Sequence, residues 1–268
     1  MGLRHRITPL RDAILLLLWG GVIMRLWSKG ELSNYLHPAL QPFTLGAGVL
    51  LLILAAFAFR GLAAKNTASH ECCHGSHEHH HHGSLAGFVT KTVVLLLPLV
   101  ALISGQALQF TITTIQNRGV VQDLKSLPAA NASEHPQNQN ATVPEASASE
   151  GAMPIQVIDL LYAVQMPTYR QEFEGKQVEM IGQYVPLATG NPKGDRFQLV
   201  RLFITCCAAD AKPVGVTVQF PRPLKLQEMV WVKVTGMPVF PVEGGRRTPV
   251  LEATKVDQCA APEEPFVY

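Results

Sequence analysis

An apolar run from Ala39 to Phe59 sets the narrowest limits on how this chain can fold. It contains 21 residues and no charged side chain. A helix of that length is about 31 Å long, which matches the roughly 30 Å hydrocarbon core of a bilayer. Only 16% of the 268 residues are charged and the mean hydropathy is +0.16, whereas soluble domains carry about a quarter charged residues. The run therefore predicts a transmembrane helix.

Two weaker apolar stretches flank this run and predict two or three membrane spans in all. Residues 88–108 carry one charge, Lys91, close enough to the end to reach the headgroups. Residues 10–27 are interrupted near both ends by Arg11, Asp12 and Arg25. A cleaved signal peptide is the alternative for this first stretch, but the residues that follow it lack the small-x-small pattern of a cleavage site.

The distribution of basic residues near the spans predicts the orientation. Six lie on one side and four on the other; the first set is Arg4, Arg6, Arg11, Arg60, Lys65 and Lys91, and the second is Arg25, Lys29, Arg118 and Lys125. This count favours a multi-pass plasma-membrane protein with a cytoplasmic amino terminus, a cytoplasmic loop from Arg60 to Gly87 that contains the histidine-rich segment, and an extracytoplasmic carboxy-terminal domain.

The chain divides into three regions by composition. Residues 1–115 form the helical membrane region, and residues 116–153 form a flexible linker rich in Ala, Asn, Ser, Pro, Gln and Glu, which buries too little apolar area to order itself. Residues 154–268 have 12 basic and 12 acidic side chains and the length of one small domain. We predict a membrane-anchored α+β protein.

The carboxy-terminal region alternates apolar and polar residues, which is typical of strands. After a short helix near Ile155 to Gln165 we predict five strands, at 176–185, 196–205, 214–220, 229–238 and 249–256. Gly182 and Gly236 interrupt two of them, and glycine inside a strand usually marks a bulge or a bend. Five bent strands predict a small OB-like β-barrel, and an open five-stranded sandwich is the alternative.

A histidine-rich loop follows the second apolar stretch. Seven of the ten histidines in the chain fall within residues 70–82. Imidazole and thiolate are ligands of zinc and other transition metals. The candidate ligands in this loop are His70, Cys72, Cys73, His74, His77, His79, His80, His81 and His82. A low-complexity polar loop without a metal is the alternative.

Adjacent cysteines follow the second predicted strand, and three interpretations of them stay open. Cys206 and Cys207, with Cys259 and with Asp210 as a fourth ligand, are candidates for a soft-metal site. One of the pair can instead form a disulfide with Cys259 if the domain is extracytoplasmic. The third interpretation is one core cysteine beside an unreactive neighbour.

The sequence contains no Walker loop, dinucleotide fingerprint, G-x-S-x-G or H-E-x-x-H motif. The net charge is +2, which leaves no basic surface for nucleic acid. We therefore expect neither an enzyme of these types nor a nucleic-acid-binding protein.

Four features of the chain together resemble the YcgQ-like family of bacterial membrane proteins, described as permease subunits. They are the apolar amino-terminal half, the histidine-rich loop, the segment from Arg196 through Cys206-Cys207-Ala-Ala-Asp210-Ala to Val216, and the segment Trp231-Val-Lys-Val-Thr-Gly236. The resemblance covers most of the chain, and the Cys-Cys-x-x-Asp-Ala segment is its most specific part. It implies a bilayer location and a multi-span permease partner of the YcgR type. It implies no substrate and no reaction.

These observations lead to three functional hypotheses. The first is an accessory subunit of a membrane permease complex that handles or senses a transition-metal ion such as zinc. The second is a membrane-tethered thiol-redox protein that acts through Cys206 and Cys207. The third is a structural envelope protein whose β domain binds another protein.

Overall fold

The structure is a computed structural model and describes residues 2–64, 85–103, 112–124, 127, 151–187, 191–243 and 245–268. It divides into two compact units, Met1–Gln109 and Phe110–Tyr268. The first is helical and the second combines helices with a mixed β-sheet, so the chain is an α+β protein.

The first unit contains three helices, namely α1 (Gly2–Ser28), α2 (Gln41–Ala64) and α3 (Leu85–Ile103). Two short 3-10 turns, Glu31–Asn34 and Pro38–Leu40, connect α1 to α2. Glycine allows these helices to approach closely, since a Cβ on Gly20 would lie 2.8 Å from Leu52 Cγ and a Cβ on Gly48 would lie 2.8 Å from Ile23 Cγ2. Small residues at a helix–helix contact allow the two backbones to approach closely.

The outer faces of these helices are strongly apolar. Large exposed hydrophobic side chains occur on all three of them, including Ile14 and Leu17 on α1, Phe43, Leu50 and Phe57 on α2, and Val94, Leu97 and Val100 on α3. Within the described residues, one stretch is long and apolar enough to cross a bilayer by length and composition, Pro38–Leu62. It contains the predicted run 39–59 and confirms it as a candidate span.

The other two predicted spans do not meet that test within the described residues. The charges of Arg11, Asp12 and Arg25 lie inside α1, and the apolar part of α3 is the shorter stretch Val89–Leu102. The predicted continuation of the third span to residue 108 lies outside the described residues, as does the histidine-rich loop.

The second unit begins with α4 (Ile112–Arg118). It continues with β1 (Met153–Pro154), α5 (Val157–Gln165), α6 (Pro167–Gln171), β2 (Val178–Pro186), β3 (Arg196–Phe203), β4 (Lys212–Gln219), β5 (Trp231–Val239), β6 (Val242–Glu243), β7 (Arg246–Arg247), β8 (Val250–Gln258) and β9 (Phe266–Val267). The helix predicted near 155–165 and all five predicted strands are confirmed, with ends shifted by two residues or fewer. Residues 112–124, part of which we predicted as linker, belong to this unit because apolar side chains such as Ile115 and Leu124 are buried in it.

Five long strands pair in a closed ring. The order in the main sheet is β1-β2-β5-β8-β4-β3-β9, and β2 also pairs with β3. The β4–β8 pairing is parallel and the other four pairings of the ring are antiparallel. Strands β6 and β7 pair with each other in a separate two-stranded sheet.

The ring encloses the hydrophobic core, and α5 packs on it. Core side chains include Val178 and Met180 of β2, Leu199 of β3, Val216 of β4 and Val234 of β5, all fully buried. The main sheet changes register between Thr235 and Gly236. A Cβ on Gly236 would overlap the backbone carbonyl oxygen of Glu252, so the predicted glycine irregularity in this strand is present as a close approach of β5 and β8.

A buried arginine attaches the end of the chain to this core. Arg201 is only 8% exposed, and its Nη2 donates hydrogen bonds to the carbonyl oxygens of Glu264 (2.5 Å) and Phe266 (3.2 Å). Its guanidinium lies 5.2 Å from the ring centroid of Trp231. Burial lowers the pKa of Arg201 to about 10. These contacts hold β9 beside β3 and beneath the loop that follows β3.

Candidate functional site

The β3–β4 loop carries the adjacent cysteines, and its own alanines fix it to the domain. Ala208 and Ala211 are buried in a small cluster with Leu202, Ile204 and Phe266. A 3-10 turn covers Ala208–Asp210. Because the alanines face inward, Cys206 is exposed and Cys207 is partly exposed.

Asp210 organises the loop by accepting hydrogen bonds. Its Oδ1 accepts from the backbone N–H of Thr205 (3.1 Å), and its Oδ2 accepts from the backbone N–H of Cys206 (2.8 Å). The Cys206 Sγ also donates to Oδ2, at 2.9 Å. One carboxylate thus ties the start of the loop to the turn that follows the cysteines.

These contacts bring three potential metal ligands together. The Sγ atoms of Cys206 and Cys207 and a carboxylate oxygen of Asp210 lie within 4.8 Å of one another. The two Sγ atoms are 3.7 Å apart. Within the described part of the chain, this is the one group of three or more histidine, cysteine or acidic side chains with such geometry.

The hydrogen bond between Cys206 and Asp210 shifts the pKa of both groups. The hydrogen bond to Asp210, followed by the one to Cys207, raises the pKa of the Cys206 thiol to about 11. Burial raises the pKa of Asp210, but the hydrogen bonds that it accepts from Cys206, Thr205 and Cys207 outweigh burial and lower that pKa below its ordinary value. At neutral pH the site therefore consists of a protonated Cys206 thiol on an ionised carboxylate.

Cys259 does not join this group. It follows β8, where its backbone N–H donates to the carbonyl oxygen of Trp231 at the start of β5 (3.0 Å). Burial raises the pKa of its thiol, and the nearby cations Lys233 and Arg201 oppose that effect. Cys206, Cys207 and Cys259 are all free thiols, so the structure does not contain the disulfide that we considered.

The other predicted ligand set cannot be placed. His70, Cys72, Cys73, His74, His77, His79, His80, His81 and His82 all lie outside the described residues, so the metal-binding prediction for that loop stays a prediction.

The sequence interpretation missed a long-range contact to the loop. Arg118, at the end of α4, donates a hydrogen bond from Nη1 to the carbonyl oxygen of Ala211, next to Asp210. Residues 118 and 211 are far apart in sequence, and no local pattern indicates that they meet.

The fold and this loop together define a class of two-unit α+β proteins, with helices at the amino terminus and a thiol-bearing β domain at the carboxy terminus. The chain belongs to the DUF1980 family: the N-terminal domain of that family matches residues 10–120, and its C-terminal domain matches residues 131–268. Comparison with curated proteins finds no match.

Proposed function

We propose that this protein is an accessory subunit of a membrane permease complex and that its carboxy-terminal domain binds a zinc-like transition-metal ion through Cys206, Cys207 and Asp210. The observation that carries the metal part is the Sγ–Sγ distance of 3.7 Å. Two thiolates bound to one tetrahedral ion with metal–sulfur bonds of about 2.3 Å lie about 3.8 Å apart, whereas a linear ion would hold them about 4.6 Å apart.

The carboxylate fits the same ion after a small adjustment. A tetrahedral centre places a carboxylate oxygen and a thiolate sulfur about 3.6 Å apart, and the present Cys206–Asp210 distance is 2.9 Å. The ion would replace the thiol proton that now bridges these two atoms, and they would separate by about 0.7 Å. Three protein ligands leave the fourth position open, which suits an ion that is passed on better than one that is held permanently, since structural zinc sites have four protein ligands.

A membrane location for all three helices is part of this proposal. Apolar side chains cover the outer faces of α1 and α3 as well as α2, and monomeric soluble proteins rarely expose such continuous apolar surface. The Gly20 and Gly48 contacts between α1 and α2 also suit helices in lipid. We further propose that the ring of strands is an OB-like barrel, because five strands with one parallel closure match that topology.

The partner and the orientation rest on the YcgQ-like resemblance and on the count of basic residues. The proposed partner is a multi-span YcgR-type permease, and the β domain is placed outside the cytoplasm. Labelling of Cys206 in intact cells with a membrane-impermeant maleimide tests the orientation, because the reagent does not reach a cytoplasmic domain. Co-expression with the permease, followed by purification through the permease alone, tests the partner.

A thiol-redox role is the second candidate, favoured by the adjacency of an exposed thiol, Cys206, and a partly exposed one, Cys207. The raised pKa of Cys206 disfavours it, because disulfide exchange needs a free thiolate, whereas a metal ion displaces the thiol proton as it binds.

The deciding experiment measures metal binding by the full-length protein in detergent, with residues 70–82 replaced by Gly and Ser to remove competing ligands. Co²⁺ is the probe, because thiolate ligation gives a charge-transfer absorption that imidazole and carboxylate ligands do not. We expect one ion per chain. Cys206→Ser and Cys207→Ser should each weaken binding by at least about tenfold, since each removes a metal–thiolate bond.

Cys259→Ser is the matched control, because it removes a free thiol that lies outside the group. Equal Co²⁺ affinity and absorption in the Cys206→Ser, Cys207→Ser and Cys259→Ser proteins would refute the metal site.

A further inference from the structure

The chain that follows the membrane-region helices contacts the residues that come immediately after the candidate metal site. We call residues 112–122 the exit segment; it comprises α4 and the four residues after it, and it begins nine residues after the end of α3. At the end of α4, the Arg118 guanidinium donates to the carbonyl oxygen of Ala211. Ala211 is covalently next to Asp210, so this contact fixes one side of the turn that supplies a metal ligand.

The next residues of the exit segment pair with the first residues of β4. The Val121 N–H donates to the carbonyl oxygen of Pro213 (2.8 Å), and the Gly215 N–H donates to the carbonyl oxygen of Val121 (3.1 Å). Val121 and Val214 form a parallel bridge. These backbone bonds hold the segment against the strand that begins where the site loop ends.

A glycine makes room for this contact. A Cβ added to Gly215 would lie 2.5 Å from Val120 Cγ1, a distance that Cβ atoms do not tolerate without a shift. The side chain of Val120 therefore occupies the space that a larger residue at 215 would need. The absence of a side chain at 215 is what lets the exit segment lie so close to β4.

We infer that binding of a metal ion at Cys206, Cys207 and Asp210 is coupled to docking of the exit segment on β4. A bound ion would thereby change how firmly the chain that enters the β domain from the membrane region is held. The inference rests on the proposed function. The docked segment holds Ala211 and Pro213 on either side of Lys212, which keeps the loop and its ligands close to the arrangement that the ion requires. Coupling of this kind is reciprocal, so the ion must also stabilise docking.

The first test compares Co²⁺ affinity in the loop-replaced, full-length protein. Arg118→Ala should weaken binding by about tenfold, which corresponds to about 1.4 kcal/mol and is close to the lower end of the range for one hydrogen bond that involves a charged group. Arg118→Lys retains a donor and should recover part of the affinity. Arg246→Ala is the matched control, because Arg246 is exposed on the separate β6–β7 sheet.

The second test adds a side chain at Gly215, where the exit segment lies against β4. Gly215→Ala should displace Val120 and weaken Co²⁺ binding, and the double variant Val120→Ala with Gly215→Ala should recover it, because the shorter side chain removes the overlap. Recovery identifies the overlap with Val120 as the cause of the loss, whereas a double variant no better than Gly215→Ala would place the cause at residue 215 itself. The thermal unfolding midpoint of each variant, measured without metal, shows whether the loss of affinity is accompanied by a general loss of stability.

The reciprocal readout is amide hydrogen exchange at Val121 and Gly215 with and without Co²⁺. We expect slower exchange in the loaded protein and no change in Cys206→Ser. If Co²⁺ binds stoichiometrically but the exchange at these two amides and the affinity of Arg118→Ala are unchanged, the coupling is refuted and the metal site stands. If the parent protein does not bind Co²⁺ through its thiols, the proposed function itself is refuted, and the coupling with it.

Discussion

The substitution Asp210→Asn tests the chemistry of the candidate site without changing its shape. Asn keeps one oxygen, which can accept from either the Thr205 or the Cys206 N–H group, and replaces the other oxygen with an amide nitrogen that does not accept. It also removes the charge that holds the thiol proton. The contact with Asp210 is the main reason that the pKa of Cys206 rises from 9.0 to about 11. We therefore expect the pKa of Cys206 in the variant to fall towards 9.

The expected change in reactivity follows from that shift. At pH 8, a fall in pKa from about 11 to about 9 increases the thiolate fraction by about a hundredfold. The less basic thiolate is also about tenfold less nucleophilic, because nucleophilicity falls with pKa with a Brønsted coefficient of about 0.4–0.5. The net result should be alkylation of Cys206 that is about tenfold faster.

Both the pKa of Cys206 and its alkylation rate are measured by iodoacetamide alkylation of the full-length protein between pH 7 and 11. Mass spectrometry follows each cysteine separately. Cys259 in the same samples is an internal control, because Asp210 does not contribute to the pKa of that thiol. If Asp210→Asn leaves the titration midpoint of Cys206 within about half a pH unit of the wild type, Asp210 is not the group that holds the proton, and a thiol bound to an ionised carboxylate is the wrong resting state for the site.

Three further predictions concern metal affinity, strand packing and the chain terminus. Zinc affinity of the loop-replaced protein should rise by about tenfold or more per pH unit between pH 6 and 8, since thiols release protons on binding; a flat profile would exclude thiolate ligands. Gly236→Ala should lower the free energy of unfolding by about 3 kcal/mol and Gly182→Ala by about 1 kcal/mol. An added Cβ overlaps backbone of β8 at 236, whereas at 182 its nearest neighbour is the Leu199 side chain (2.8 Å), and the backbone carbonyl oxygen of Val200 lies farther away (3.1 Å). Pulse proteolysis measures both losses, and equal losses would contradict the packing. Arg201→Met should make residues 264–268 more accessible to carboxypeptidase because two hydrogen bonds to that segment are lost, and unchanged digestion would show that other contacts hold it.

The pH dependence of stability has a definite sign at the site. The folded pKa of Cys206, about 11, lies above the value of 9.0 for an unperturbed thiol. The hydrogen bond to Asp210 therefore stabilises the folded loop fully below pH 9, and this stabilisation is lost as the pH rises through about 11.

Local patterns were enough to predict the strands and part of the site. Alternation of apolar residues located all five long strands, because the period of two is a property of neighbouring residues. Asp210, named from the sequence as a candidate ligand, does lie beside the thiol of Cys206, because a 3-10 turn covers Ala208–Asp210.

Contacts between distant segments were not predictable in the same way. The contact of Arg118 with Ala211 and the position of Cys259 beside Trp231 both depend on how the strands are ordered in the sheet. The linker was predicted from composition alone, which cannot indicate that Val120 and Val121 pack on Gly215.

The attachment of β9 beneath the thiol loop affects how this protein should be purified. Phe266 belongs to the same buried cluster as Ala208 and Ala211, and Tyr268 packs against that cluster. A polyhistidine tag fused after Tyr268 would therefore add imidazole groups beside the cluster that supports the loop of Cys206 and Cys207. A cleavable affinity peptide without histidine or cysteine avoids a false metal stoichiometry.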